Sequence, residues 1–281
     1  MSTVAESSPN EDELSPQSFV ETRLALASDA LRDNDPARHL IELEAAYSRA
    51  QATPYDIRFQ TRLQVILELA EAYLRTGEVL RARSLLGREA AFAERIVEII
   101  QQTGTDFQKR QAAGVRVQLR DRARQVALLG EQSPEISLKL WLKGEPATLA
   151  ALRGRVVLLE FWATWCKPCR EMFPKLKRLD ELYRERGLEV ISITRHYLAR
   201  RGDLEAERDE LRLMRRMIED EDLNFRVGVA EDERLQTAYG ATGLPMLALI
   251  DRKGLVRYAH FGGGQEDGFE KLLNECLDKQ V

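Results

Sequence analysis

Two of the three cysteines stand three residues apart in Phe161-Trp162-Ala163-Thr164-Trp165-Cys166-Lys167-Pro168-Cys169. The stretch follows an apolar run, Val156 to Leu159, and leads into a segment with helical periodicity. A C-x-x-C pair at such a strand-to-helix turn is suited to dithiol–disulfide chemistry. A thiol in the first turn of a helix faces unpaired backbone N–H groups and the positive end of the helix dipole, so its thiolate is favoured. The second cysteine sits one turn deeper and can close a disulfide without moving the backbone. The competing use of C-x-x-C is a zinc half-site. Four ligands are needed for that, and neither a second C-x-x-C nor clustered histidines exists to complete them. No metal is expected.

These positions define the expected chemistry. Cys166 is the attacking thiolate, its pKa lowered from about 8.5 towards 7 by the helix N-terminus and the Lys167 ammonium. It opens a partner's disulfide to give a mixed disulfide. Cys169, more buried, must then lose its proton to release the partner. Glu160 is the candidate to take it, because a carboxylate inside Val156-Val157-Leu158-Leu159-Glu160-Phe161-Trp162 is costly to bury and should titrate high. The alternative is that Glu160 points to solvent at the strand end.

The passage resembles the active site of the thioredoxin superfamily, and in detail the TlpA/ResA-type thiol–disulfide oxidoreductases. Pro174 falls where that family has a proline in the active-site helix, Gly243-Leu244-Pro245 matches its cis-proline loop, and Leu249 to Gly254 matches the strand and turn that follow. The resemblance covers about residues 133–280. It implies an enzyme that exchanges disulfides with a disulfide- or dithiol-containing protein partner and uses no cofactor; a reductase is expected, with an oxidase or isomerase as the alternative. It also implies catalytic roles for Cys166, Cys169 and Glu160, the last standing where the family carries a buried acid, usually Asp. The substrate-binding surface would comprise Trp165, Lys167, Pro168, Leu244 and a cis Pro245, with the Leu244 backbone pairing to an extended substrate segment. Met246 is a departure from the threonine often found after that proline. A peroxidase is not indicated, since no P-x-x-x-T/S-x-x-C frame surrounds Cys166. A rival from another class is a helical adaptor or scaffold in which the redox pair is secondary.

A chain of 281 residues exceeds the usual size of one core, so two domains are expected. With 42 basic against 46 acidic residues the net charge is −4, which argues against broad nucleic-acid binding. No stretch approaches the roughly 18 apolar residues that span a membrane. Met1 to Pro16 has neither a basic n-region nor an apolar h-region, so the chain as written reads as cytoplasmic. The TlpA/ResA relatives are mostly exported, and an exported chain with its leader removed is the alternative.

Residues 1–16 read as a disordered tail, 17–130 as an all-α domain and 131–281 as the redox domain. In the helical half, Asp35-Pro36 and Thr53-Pro54 read as N-caps with proline at the first helical position. Gly77 reads as a left-handed C-cap, and Glu78–Leu86 and Arg88–Gln102 as separate segments. Thr105 caps a last helix to about Leu129. Ala70, Tyr73, Gly77 and Ala82 have the spacing of one tetratricopeptide unit, but a second copy 34 residues on is poor. Lys109, Arg116, Arg120 and Arg124 line one side of the last helix, beside Ala112, Val115, Leu119 and Val126. That stripe is either a docking surface for an acidic partner or a solvated face.

After Ser133-Pro134, strands are expected at 136–142, 155–162, 188–194, 225–229, 246–250 and 255–261. Helices are expected at 167–186, 199–222 and 266–279. The pattern is an α/β thioredoxin-like fold, a central mixed sheet with helices on both faces. His39 and His260 read as structural residues, His196 as structural or, following the strand after the active-site helix, as one that approaches the site, and Cys276 as a buried small hydrophobe. Gly262-Gly263-Gly264 lacks the frame of a phosphate cradle.

Overall fold

The structure, a computed structural model, describes residues 14–200, 202–262 and 268–279. Residues 1–13 of the expected tail, Gly263 and Gly264 of the glycine loop, and Glu266 lie outside the described residues. The chain divides into two compact units, Met1–Ala123 and Arg124–Val281.

Among the described residues the first unit is built from α1 (Pro16–Arg32), α2 (Pro36–Ala52), α3 (Phe59–Arg75), α4 (Val79–Thr103) and most of α5 (Asp106–Leu128). Ser15 and Asp35 cap α1 and α2 by accepting the backbone N–H of Ser18 and Arg38, each with proline in the first turn. Gly77, at φ +79°, ends α3 as expected, and the Glu78 N–H reaches back 2.8 Å to the Tyr73 carbonyl. Thr53 does the opposite of what Thr53-Pro54 suggested. Its hydroxyl donates 2.9 Å to the Arg49 carbonyl and closes α2, while α3 starts only at Phe59. α4 also runs unbroken through Gly87. Ala82, Leu85, Leu86, Ala93 and Val97 are buried along it, and that packing outweighs the roughly 1 kcal/mol that a helical glycine costs. Ala112, Val115, Leu119 and Val126 of α5 are buried, as their spacing predicts. The core of this unit contains a buried ion pair. Arg62 of α3 donates to both oxygens of Glu89 of α4, at 2.8 and 2.9 Å, and Tyr47 of α2 donates its hydroxyl to Glu89 at 2.9 Å.

The second unit begins inside the last turn of α5, at residue 124 rather than 131. There the Gln125 amide donates to the Gly240 carbonyl at 2.6 Å. Its strands are β1 (Leu138–Lys143), β2 (Val156–Phe161), β3 (Leu188–Thr194), β4 (Arg226–Ala230), β5 (Met246–Ile250) and β6 (Val256–Phe261). They form one sheet in the order β1-β4-β3-β2-β5-β6. β2, β3 and β4 are parallel, and β1, β5 and β6 are antiparallel to their neighbours. The helices are α6 (Lys167–Tyr183), α7 (Leu204–Asp220), α8 (Arg234–Tyr239) and α9 (Phe269–Asp278). β2 is central and every residue of it is buried, which is why it reads as a continuous apolar run. Val156 and Leu158 pack with α6, α7 and α9 on one face, and Val157, Leu159 and Phe161 pack with Leu235 and Tyr239 of α8 on the other.

Candidate active site

Cys166 ends the turn after β2 and caps α6. Its Sγ accepts the Cys169 backbone N–H at 3.2 Å, so the sulfur sits where the first orphan N–H groups of the helix point. Cys166 and Cys169 are joined as a disulfide with a Cα separation of 5.4 Å, and both are buried. Pro168 lies in the first turn, where a missing N–H leaves no helical bond unmade, and Pro174 lies within the helix. Lys167 is exposed and pairs with Glu171 at 3.4 Å.

The turn that delivers Cys166 separates two tryptophans. Trp162 is fully buried and meets Phe173 edge-on at 5.5 Å. Trp165 is 57% exposed and meets Tyr197 edge-on at 5.7 Å. Phe161 pairs with Met246 across β2 and β5, so the Leu244-Pro245 loop arrives at the same end of the sheet as the Trp162–Cys166 turn. The Leu244–Pro245 bond is cis, and the Pro245 carbonyl accepts the Gly262 N–H at 2.9 Å. Leu244 packs against the core cluster that contains both cysteines.

Glu160 does not point to solvent. It is fully buried on the sheet face of Leu158, beneath the helix that carries the cysteines. Parallel pairing sets it opposite Ser192 of β3, whose hydroxyl donates to Oε2, while Oε1 has no hydrogen-bond partner. Burial pushes the carboxyl up to about 8, with the Ser192 hydroxyl opposing part of that rise. At neutral pH the group holds its proton.

The Redoxin family model matches residues 128–273, over half of the chain. The chain belongs to the Redoxin family. Thioredoxin-like protein YneN of Bacillus subtilis (strain 168) is 31% identical over 145 residues, covering 52% of this chain and 78% of that protein. Thiol-disulfide oxidoreductase ResA of Halalkalibacterium halodurans is 31% identical over 150 residues, covering 53% and 78%. Among solved structures, the thioredoxin-like superfamily protein SPOA0173 is 25% identical, covering 53% of this chain and 98% of that one, with a TM-score of 0.46.

Other titratable residues of this redoxin are held in structural contacts. The His39 Nδ1 lies 2.9 Å from the Ala27 carbonyl, and burial pushes the Cys276 thiol up. On α5, Arg116 pairs with Glu94 at 3.6 Å and Arg120 with Asp121 at 3.2 Å, while Arg124 donates to the Ala238 carbonyl at 2.8 Å. Three of the four bases in the expected docking stripe therefore have partners within their own unit. Among the described residues no cluster of His, Cys, Asp and Glu could hold a metal ion, and no helix is long and apolar enough to cross a membrane. Sequence reasoning missed three residues around this redoxin's dithiol. Ser192 was legible as a polar residue inside an apolar strand. Tyr197 and Glu210, 13 residues apart, share no periodicity that could have flagged them.

Proposed function

We propose that this chain is a protein thiol–disulfide oxidoreductase that reduces disulfides in partner proteins. The observation that carries the reading is the Cys166–Cys169 pair at the N-terminus of α6, in a fold that also buries Glu160 in the adjoining strand β2. In the reduced protein the Cys166 thiolate attacks one sulfur of the partner's disulfide, and the other sulfur leaves as a thiolate. Glu160 in its ionised form, the minor form at neutral pH, takes the proton of the Cys169 thiol, and the Cys169 thiolate attacks the Cys166 sulfur of the mixed disulfide. The partner's second thiolate departs. The protein is left with the Cys166–Cys169 disulfide, the state of this structure, and a protonated Glu160. Two electrons pass to the partner, and reduction of the protein by a dithiol donor returns them.

Trp165, Lys167, Pro168, Leu244 and Pro245 form the docking surface in this reading. The partner's extended segment bonds to the Leu244 backbone and packs against the exposed Trp165 ring. The redox domain is the unit from Arg124 onward.

Exchange with insulin in the presence of a dithiol tests the assignment. Cys166→Ser should abolish it, and Cys169→Ser should trap a mixed disulfide visible on a non-reducing gel. If Cys169→Ser traps nothing while Cys166→Ser does, the roles are reversed. Direction is read from the reduction potential. A value near the roughly −270 mV of thioredoxin fits a reductase, and one near about −120 mV an oxidase.

A further inference from the structure

The segment between β3 and β4 carries another buried carboxylate, whose contacts lead to the loop beside Trp165. Glu210 of α7 is 4% exposed. Its Oε1 accepts the backbone N–H of Tyr197 at 2.9 Å and of Leu198 at 3.1 Å. Its Oε2 accepts the Ala199 N–H at 3.1 Å and lies 3.2 Å from the His196 Nδ1. Three consecutive N–H groups aimed at one point form an anion-binding concavity, and here the chain's own side chain occupies it. Residues 197–199 belong to no strand or helix, so without Glu210 these donors would lose the partners that fix the loop.

What the loop holds in place is the ring of Tyr197. Its plane stands at 88° to that of Trp165, with the centroids 5.7 Å apart. The Arg195 guanidinium lies 4.0 Å from the same ring's centroid. Leu198, 64% exposed, follows directly. Trp165 is the residue before Cys166, so whatever orients its ring shapes the surface on which a partner's cystine must land. Glu210's hydrogen bonds go to the 197–199 backbone and His196 rather than to a sulfur, so the effect falls on docking rather than on bond exchange.

We propose that Glu210 is a positioning residue for disulfide exchange: by clamping residues 197–199 it sets Tyr197 against Trp165, and the Tyr197–Trp165 wall selects partners whose cystine is flanked by apolar side chains. The proposal rests on the oxidoreductase reading above, and its test separates the two. Full-length Glu210→Gln, Tyr197→Ala and Tyr197→Phe are compared with the parent in insulin reduction and in near-ultraviolet circular dichroism. Glutamine keeps the size of the side chain but turns an N–H₂ towards backbone donors. Glu210→Gln and Tyr197→Ala should each raise KM for insulin about fivefold, the scale of one lost aromatic pair, with kcat changed less than twofold. Both should also lose the tryptophan band of the ordered Trp165 ring. Tyr197→Phe, which keeps the ring, should recover most of the affinity and the band.

An unchanged KM and an unchanged band in Glu210→Gln would overturn the clamp. A loss in Tyr197→Phe equal to that in Tyr197→Ala would overturn the ring contact. If Glu210→Gln does not fold, the two Tyr197 variants decide. If the parent protein reduces no disulfide at all, the oxidoreductase reading fails, and the band alone still shows whether Glu210 orders Trp165.

Discussion

Glu89 in the helical unit and Glu160 in the redox unit are both buried, 2% and 0% exposed, yet their surroundings differ sharply. Around Glu89 the chain supplies an opposite charge in bidentate geometry from Arg62 and a phenol from Tyr47. Around Glu160 it supplies one hydroxyl, from Ser192, and leaves the other carboxylate oxygen unpaired. Burial with a matched partner turns a charge into a strut between helices. Burial without one raises the free energy of the ionised form, so the group keeps its proton to about pH 8, which the proposed exchange with Cys169 uses. The difference lies in what the neighbouring elements present, not in the residue type.

The comparison breaks most sharply if the strut is cut. Arg62→Ala strands Glu89 without its counter-charge and removes the 2.5 Å bond from Arg62 to the Ala50 carbonyl. Loss of one partner of a buried pair typically costs about 3–5 kcal/mol. The helical signal at 222 nm should lose its first unfolding transition or move it to much lower urea. Trp141, Trp162 and Trp165 all lie after residue 123, so tryptophan emission reports the second unit alone. Its midpoint should stay put. A shift of both transitions together would show that the units unfold as one and that Arg124 begins no independent domain.

The next effect is that of Glu160→Gln. Resolution of the mixed disulfide should slow by about a hundredfold near neutral pH, the usual scale for a lost proton acceptor, and converge with the parent at alkaline pH where Cys169 ionises unaided. Stability should respond in the opposite sense. The folded carboxyl titrates near 8 against 4.5 when free, so between those values the folded state binds more protons than the unfolded state. The stability contributed by holding that proton is complete below about pH 4.5 and is lost as pH rises through 8. Glu160→Gln removes this slope, so its melting temperature should fall less than the parent's between pH 5 and 9. Parallel melting curves would show that Glu160 is ionised throughout that range.

The contrast between the two glutamates also marks how much was legible beforehand. The cysteine pair, the acid in β2 and the bounds of β3 and β5 are local features, carried by adjacent residues and by apolar runs that central strands require. Glu160 stood out because it interrupts such a run. The Arg62–Glu89 pair joins two helices across 27 residues, and the Glu210 clamp joins a helix to a loop with no repeating spacing, so nothing local announced either one. Thr53-Pro54 misled because a threonine hydroxyl can bond forward as an N-cap or back to the fourth carbonyl before it, and only packing chooses between them. Gly87 misled because propensity is a weak term beside the apolar face of α4. α8, six residues long, is too short to show a period.

The smallest expected effect tests whether Glu160 is tuned rather than merely buried. The Ser192 hydroxyl donates to the carboxylate and so favours its ionised form, working against desolvation. Ser192 is itself fully buried, and its backbone is fixed by the β2–β3 and β3–β4 ladders, so Ser192→Ala removes the donor with little change of shape. A hydrogen bond to a charged group is worth about 1.5 kcal/mol, which corresponds to a pKa rise of about one unit. The midpoint of the pH–rate profile for resolving the mixed disulfide should therefore move from about 8 towards 9. The rate at pH 7 should drop about tenfold while the alkaline plateau holds. This loss is smaller than that of Glu160→Gln because the acceptor is still present, only ionised less often. A downward shift of the midpoint would mean that the hydroxyl serves the protonated acid instead. An unshifted midpoint would place the controlling proton elsewhere, and Glu160 would then resemble Glu89 in being a buried acid with a structural role.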